Sequence, residues 1–204
     1  MDASLNAALA TTGFSVPVFD SQHAFRSIMN AMSRPGSIHK IALDFTPPAE
    51  LPLAAAAALL ALCDFETSLW VAAGWDDNKT VSEYCLFHSG AMRAASPAAA
   101  QFALVDLHRQ KLRLADFSQG TAEYPDRSTM IIALVSSLRD GPVSRLTGPG
   151  IQDQTEIALE GLPADFAAQW ANNYSGFPLG VDIIFCAGAE VLALPRSTRI
   201  IEKS

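Results

Sequence analysis

Two runs in this chain are apolar on both faces, which is the pattern of a strand in the interior of a sheet. They are Thr129–Val135 and Val181–Ala187, with Asp182 as the exception. Such strands need partners on both edges and apolar layers above and below. Because helices and strands alternate early and hairpins come late, the sequence predicts the α/β class, with a mixed, mostly parallel sheet sandwiched by helices. Its 204 residues show no linker, so we expect a single domain, 1–204, with 1–13 poorly ordered.

The most regular helical pattern covers Asp20–Ser33. We expect Asp20 or Ser21 to cap this helix, and we expect Pro35 and Gly36 to end it. Its apolar side chains recur at helical spacing over an arc of about 140°, which predicts a buried face. The residues of that face are Ala24, Phe25, Ile28, Met29 and Met32.

Shorter patterns predict the remaining elements. An alternating edge strand is expected at Ser37–Leu43, and the all-apolar run Leu51–Asp64 predicts a buried helix. Asp140 and Gly141 form a favoured hairpin dipeptide, so Val143–Thr147 is expected to return antiparallel to the first interior strand. Further strands and helices are expected at Thr67–Ala73, Val81–Ser89, Gln101–Val105, Pro163–Tyr174 and Val191–Leu194.

Composition argues against several classes of function. The net charge is −7 and no stretch is rich in Lys or Arg, which disfavours binding to a nucleic-acid backbone. The longest apolar run, Leu51–Cys63, is too short to span a membrane, and the acidic start lacks the basic region of a secretion signal. Three cysteines in apolar runs predict buried free thiols in a reducing compartment, so we expect a cytoplasmic protein.

No motif for self-sufficient catalysis is present in the sequence. The histidines and cysteines are not at metal-ligand spacing, so we expect no metal site, and a GxSxG nucleophile elbow is absent. The glycine-rich stretch Leu146–Ile151 follows a strand and could offer backbone N–H groups to an anion. It lacks the lysine of a P-loop, and a plain turn is the alternative.

Three polar residues, Asp182, Arg26 and Arg196, lie where apolar ones would be expected. Because Asp182 lies in an apolar strand, its carboxylate needs a partner. Either it bonds a backbone group or an arginine and locks the sheet end, or it is a carboxylate of a functional site at the sheet edge. Arg26, on the polar face of the first helix, is either a solvated or paired side chain or a ligand residue. Arg145 and Arg196 lie near strand ends, where α/β sheets hold ligands. They are candidates for a phosphate or carboxylate, with a surface salt bridge as the alternative.

Several segments occur in the order and spacing of one known family. They are Asp20–Arg26, Ala31–Gly36, Arg145–Ile151, Phe177–Asp182 and Leu194–Thr198. On these segments the chain resembles the H subunit of the bacterial carbon–phosphorus lyase core complex, which is used in phosphonate breakdown. The resemblance covers nearly the whole chain, from Phe14 to Arg199.

The resemblance implies a fold like the large domain of pyridoxal-phosphate-dependent transferases, without pyridoxal phosphate or another cofactor. The lysines agree, since none lies in a strand-end loop suited to a Schiff base. It also implies a homodimer in isolation and, in the cell, a complex with the G, I and J subunits of the pathway. Together with the G and I subunits and an ATP-binding L subunit, such a chain supports attachment of an alkylphosphonate to C1′ of ATP with release of adenine.

The resemblance implies ligand-binding or interface residues and supplies no established catalytic residue. Six polar positions match the family's motifs, and Arg145 joins them as a strand-end candidate. The candidates are Asp20, Gln22, Arg26, Arg34, Arg145, Asp182 and Arg196.

Two functions remain open at this point. The leading one is an essential, mainly architectural subunit of the transferase complex, of which ATP is a substrate. The alternative is a stand-alone phosphonate- or nucleotide-binding protein or enzyme, with Arg26, Asp182 and Arg196 in a pocket at a homodimer interface. A pyridoxal-phosphate enzyme is a third reading, for which no suitable lysine is found.

Overall fold

The computed structural model describes residues 12–72 and 80–201. Within those ranges the chain forms the helices α1 Pro17–Ser33, α2 Leu53–Leu62, α3 Thr80–Ser89 and α4 Phe166–Ser175. The strands are β1 Ile38–Lys40, β2 Ser68–Val71, β3 Met92–Arg93, β4 Phe102–Asp106, β5 Met130–Leu134, β6 Ser144–Thr147, β7 Thr155–Ile157, β8 Asp182–Ala187, β9 Glu190–Leu194 and β10 Arg199–Ile201. No helix in these ranges is both long and apolar enough to cross a membrane.

The main sheet is mixed and mostly parallel, as the sequence predicts. Its strand order is β1-β9-β8-β5-β4-β2-β3. The pairs β3–β2, β2–β4, β4–β5 and β5–β8 are parallel, whereas β8–β9 and β9–β1 are antiparallel. Both strands that are apolar on two faces, β5 and β8, lie in the interior, and β1 is an edge strand. These three predictions are confirmed.

Helices α1, α2 and α3 cover the first face of the sheet. The run Ala54–Ala58 in α2 is fully buried, and α2 contacts β5 and β8 directly. Side chains this small let a helix backbone approach a sheet closely, so the prediction of a buried all-apolar helix is confirmed. Helix α1 packs against α2 and also contacts β9 and β1.

The second face is covered by α4, by a small antiparallel sheet and by the segment 107–117. The small sheet has the order β10-β6-β7. From α4, Phe166 stacks on Trp170 and meets the edge of Phe185 in β8. From the segment, Leu112 and Leu114 enter the same core. The sheet therefore has helices on both sides, although strands and loops cover much of the second side.

The hairpin predicted at Asp140 and Gly141 is wrong. Strand β6 does not return along β5 but joins β7 and β10 in the small sheet. The reason is that β4 and β8 occupy both edges of β5, so no edge is free for a returning strand. Gly141 instead donates its N–H to the carbonyl of Ala158 at 2.8 Å.

Helix α1 differs from its prediction at the start and on its surface. It begins at Pro17, so neither Asp20 nor Ser21 is the N-cap; the Asp20 carboxylate accepts the Val16 N–H at 2.8 Å from within the first turn. The end at Ser33 is as expected. Phe25 and Met29, expected to be buried, are 47% and 49% exposed. Only a narrow stripe of α1 is fully buried, namely Ala24, Ile28 and Ala31, and Met32 packs partly buried against the same core.

The first described residue of the chain is held by a backbone hydrogen bond. The expectation of poor order concerns mainly residues 1–11, outside the described ranges, but Thr12 itself is held by Thr46, whose carbonyl accepts its N–H at 2.7 Å.

All three cysteines are buried and free, as predicted. Burial raises the pKa of the Cys85 thiol to about 12 and that of Cys63 and Cys186 further, so these thiols are unreactive at neutral pH.

Two glycine substitutions distinguish close packing from backbone strain. A Cβ at Gly141 would lie 2.0 Å from the Leu159 carbonyl oxygen. Gly141→Ala should therefore lower the free energy of unfolding by about 2–3 kcal/mol, because the backbone must move. At Gly188, φ is +55° and nothing lies within 4 Å, so Gly188→Ala should cost only the left-handed strain, about 1 kcal/mol. Urea unfolding followed by circular dichroism measures both, and equal losses would contradict this reading.

Candidate functional site

Asp182 and Arg196 form a buried ion pair at one end of the main sheet. Asp182 is the first residue of β8, and Arg196 follows the end of β9. The Arg196 Nε lies 3.2 and 3.1 Å from the two carboxylate oxygens, its Nη2 also contacts Oδ2, and its backbone N–H donates to Oδ1 at 2.7 Å. Only 15% and 13% of the two side chains is exposed. The structure thus shows the carboxylate bonded to an arginine at the sheet end, the first of the two arrangements open from sequence.

The rest of the Arg196 guanidinium holds two neighbouring loops. Its Nη1 donates to the carbonyl oxygens of Pro125 at 2.8 Å and Pro178 at 3.3 Å, and Nη2 donates to the Ser128 hydroxyl. All its nitrogens therefore have protein acceptors, which satisfies the requirement that a buried charge be paired and hydrogen-bonded. The arginine joins the end of β9, the start of β8 and both loops.

The other candidates are spread over the surface of the molecule. Arg145 pairs with Glu156 across β6 and β7, with 3.2 Å between Nε and Oε1 and both side chains well exposed. Gln22 and Arg26 are exposed on α1. Arg34, at the end of α1, is near His39, whose pKa is lowered by burial and, secondarily, by the Arg34 charge. Among the described contacts, only Asp182 and Arg196 come together; ligand roles for these residues stay a prediction.

The glycine-rich loop 146–151 is used for close packing. A Cβ at Gly150 would lie 2.2 Å from the Ser33 carbonyl oxygen at the end of α1, and one at Gly148 would lie 2.9 Å from the carbonyl oxygen of Ser197. Both glycines have positive φ. The geometry therefore matches a plain turn that lets three segments meet.

The ion pair lies at the amino end of the parallel strands, whereas α/β sheets bind ligands at the carboxyl end. In the strand order, β2 and β4 are neighbours, and the elements that follow them lie on opposite faces of the sheet. Helix α3, the next described element after β2, buries Val81 and Tyr84 on the first face, and the segment after β4 buries Leu112 on the second face. This divergence of neighbouring connections is the topological switch point at which such folds hold ligands.

Charged side chains that the sequence reasoning left without a role surround this carboxyl end. Asp106, the last residue of β4, is 7% exposed; its carboxylate accepts the His108 N–H at 2.9 Å and pairs with Arg109 Nε at 3.0 Å. The His108 ring nitrogen lies 3.3 Å from the Ser136 hydroxyl. Arg109 also lies 3.7 Å from Glu50. The sequence signal that could have identified these residues is the charged run that directly follows the predicted strand Gln101–Val105.

A second ion pair lies at the same end of the main sheet, beside the antiparallel strand β9. Arg139 donates from Nη2 to a Glu190 carboxylate oxygen at 2.9 Å, and from Nη1 to the other oxygen. The hydrogen bond from Arg139 lowers the pKa of Glu190. This carboxylate therefore stays ionised and paired at neutral pH.

A groove of about 890 Å³ runs from this edge across the second face. One wall is the segment 107–115 and the other is Gly161–Asp165 with the first turns of α4. Leu107 and Leu162 supply apolar surface, whereas Leu112 and Leu114 also line the groove but are almost fully buried. Among the residues that the structure describes, no three His, Cys, Asp or Glu side chains are placed to hold a metal, and the absence of a metal site stays a prediction.

Comparison with known proteins places these observations in a family. The family described as "Bacterial phosphonate metabolism protein (PhnH)" matches residues 12–201. The chain is similar to "Alpha-D-ribose 1-methylphosphonate 5-triphosphate synthase subunit PhnH" of Rhizobium meliloti (strain 1021), with 36% identity over 187 residues, or 92% of this chain and 93% of that protein. It is also similar to "Putative C-P lyase subunit protein HtxG" of Stutzerimonas stutzeri, with 36% identity over 179 residues, or 88% of this chain and 85% of that protein.

Replacing each of two paired arginines by alanine tests the buried ion pair. Arg196→Ala should lower the free energy of unfolding by about 3–5 kcal/mol, because it leaves the Asp182 carboxylate buried without its partner. Arg145→Ala, the matched control, breaks an exposed pair and should cost at most about 1 kcal/mol. Chemical unfolding at neutral pH measures both variants. Similar losses would show that Arg196 does not hold the sheet end.

Proposed function

The chain belongs to the PhnH family of bacterial phosphonate metabolism proteins, and from this premise we propose that it is a subunit of the complex that transfers an alkylphosphonate to C1′ of ATP with release of adenine. The observation that carries the proposal is the 36% identity, over 92% of the chain, to a protein named as a subunit of ribose 1-methylphosphonate 5-triphosphate synthase. The similarity spans both layers of the fold, so it concerns the whole subunit.

In this proposal the chain is mainly architectural, and other subunits supply the reactive groups. The pairing of Asp182 with Arg196 supports this, because these charges already hold the end of the sheet together. The three buried thiols have raised pKa values and are unsuited to nucleophilic attack. ATP is a substrate of the complex, and the chain itself binds no pyridoxal phosphate or other cofactor. The proposal includes a fold like that of the pyridoxal-phosphate-dependent transferases, with which a mixed, mostly parallel sheet is compatible.

The proposed partners are the G, I and J subunits in the cytoplasm, where ATP is available, with a homodimer when the chain is alone. Two groups of exposed apolar side chains support partner binding, since such patches mark interaction surfaces. One group lies on α1, and the other lies near β3, at the opposite edge of the sheet. The groups are Val18, Phe19, Phe25 and Met29 on α1, and Phe65, Phe87 and Met92 near β3.

A stand-alone binding protein with Arg26, Asp182 and Arg196 in one pocket is less well supported. The nitrogens of Arg196 already have protein acceptors, so a ligand would have to displace them. In the described part of the chain, no contact joins Arg26 to either residue of the pair. A pocket of these three side chains at a dimer interface would thus require rearrangement of the sheet end.

Co-expression tests the proposal. When the tagged chain is produced with the G, I, J and L subunits and purified by the tag and by size exclusion, we expect the other core subunits to co-elute with it. The complete set should release adenine from ATP and methylphosphonate. The matched control omits only this chain and carries the tag on another subunit, and release should then fall to background.

Two outcomes would contradict the proposal. One is that the chain elutes alone while the other subunits assemble. The other is that adenine release continues at the same rate without it.

A further inference from the structure

The groove between the segment 107–115 and the start of α4 has walls whose chemistry is not used by the architectural function. It begins at the carboxyl end of the main sheet, because Leu107 directly follows β4 and a Cβ at Gly161 would lie 3.6 Å from the Ser136 hydroxyl. The volume of about 890 Å³ suits a small organic molecule. Its lining is mostly apolar, so the body of that molecule would lie on leucine side chains.

One wall carries positive charge in an otherwise acidic protein. Lys111 and Arg113 line the groove and are exposed, although the chain has a net charge of −7. In the described ranges Lys111 makes no ion pair, and Arg113 lies 3.9 Å from Asp116 with both side chains more than half exposed. Exposed pairs of this length are weak. Both cations are thus available to an anion entering the groove.

The opposite wall carries an acceptor that the fold leaves unused. Asp165 is the N-cap of α4, yet its carboxylate makes no capping hydrogen bond, and it lines the groove. A carboxylate accepts hydrogen bonds from hydroxyl groups but repels phosphates. A ligand that meets this wall with hydroxyls and the other wall with an anion would satisfy both.

The groove walls are held in place by side-chain amides. Gln169 accepts the Leu114 N–H at 2.9 Å and donates to the Leu112 carbonyl at 3.0 Å, which joins α4 to the opposite wall. Asn173 bonds both the N–H and the carbonyl of Val181. A preformed groove loses less ordering free energy when it binds a ligand.

We propose that this groove binds a phosphorylated riboside, with its phosphates against Lys111 and Arg113, its sugar hydroxyls on Asp165 and its base on the leucines. The choice of ATP as probe rests on the proposed function, whereas the chemical class follows from the walls. The proposal concerns binding by this chain alone and adds no reaction step.

Calorimetry of the purified full-length chain at low salt tests the proposal. ATP should give saturable binding at millimolar concentration or below, and adenosine and inorganic tripolyphosphate should each bind at least about tenfold more weakly, because each lacks half of the contacts. Binding of tripolyphosphate as tight as that of ATP would mean that the chain holds any polyanion, and would overturn the proposal. Absence of saturable ATP binding would overturn it as well.

Variants then assign the binding to the groove. Lys111→Ala with Arg113→Ala should weaken ATP binding by about tenfold or more through the loss of two charge-assisted contacts, and Lys40→Ala, on the far edge strand β1, should leave it unchanged. Asp165→Ala should lower the ratio of ATP to tripolyphosphate affinity at least about threefold, because only ATP donates hydroxyl hydrogen bonds. Unchanged ATP binding in the double variant would place the site elsewhere and overturn the proposal.

Assembly keeps this proposal separate from the proposed function. Each variant is co-expressed with the other subunits, and its unfolding free energy is measured beside the wild type. If the wild type assembles but binds no ATP, the groove proposal fails and the subunit function stands. The variant Ala164→Trp would fill the groove. If this variant folds but does not assemble, and the wild type binds no ATP, the groove is a protein interface and the proposal is overturned. The expected result is loss of ATP binding by Ala164→Trp with assembly intact.

Discussion

The central constraint of this structure is that β5 and β8 have no free face and no free edge. Each is paired on both sides within the sheet, and their side chains enter the two cores in alternation. The connections between the parallel strands must therefore leave the sheet plane and cover a face. That requirement places α1 to α3 on one side, places α4 with the small sheet on the other, and makes the two ends of the strands chemically different.

The elements that the sequence predicts well are those whose burial is encoded locally. Strand β5 and helix α2 are apolar on all sides, and any fold that buries them gives them nearly the same form. The hairpin at Asp140 failed because a dipeptide describes a turn but not whether a neighbouring strand edge is free. The buried face of α1 is also narrower than its sequence pattern predicts. A periodic pattern gives the width of an apolar arc, but the width of the layer beneath the helix decides how much of that arc is covered.

The site was harder to predict because ligand binding in such sheets depends on strand direction, which follows from pairing and not from sequence position. The need of Asp182 for a partner was clear from its surroundings, and its partner is an arginine fourteen residues later. That this pair closes the amino end, while Asp106, His108 and Arg109 gather at the opposite one, required the sheet order. A charged run after a strand becomes informative only when the strand is known to be parallel and interior.

The alanine run of α2 has a mechanical consequence. A helix surface made of methyl groups is nearly smooth, so it has no ridges to interlock with the strands below and little to oppose sliding along its own axis. Its first turn is held by a backbone hydrogen bond: the Ala54 N–H donates to the Gly188 carbonyl at 3.0 Å, at the tip of the β8–β9 turn. The position of α2 along the sheet is thus fixed at one end by this short turn.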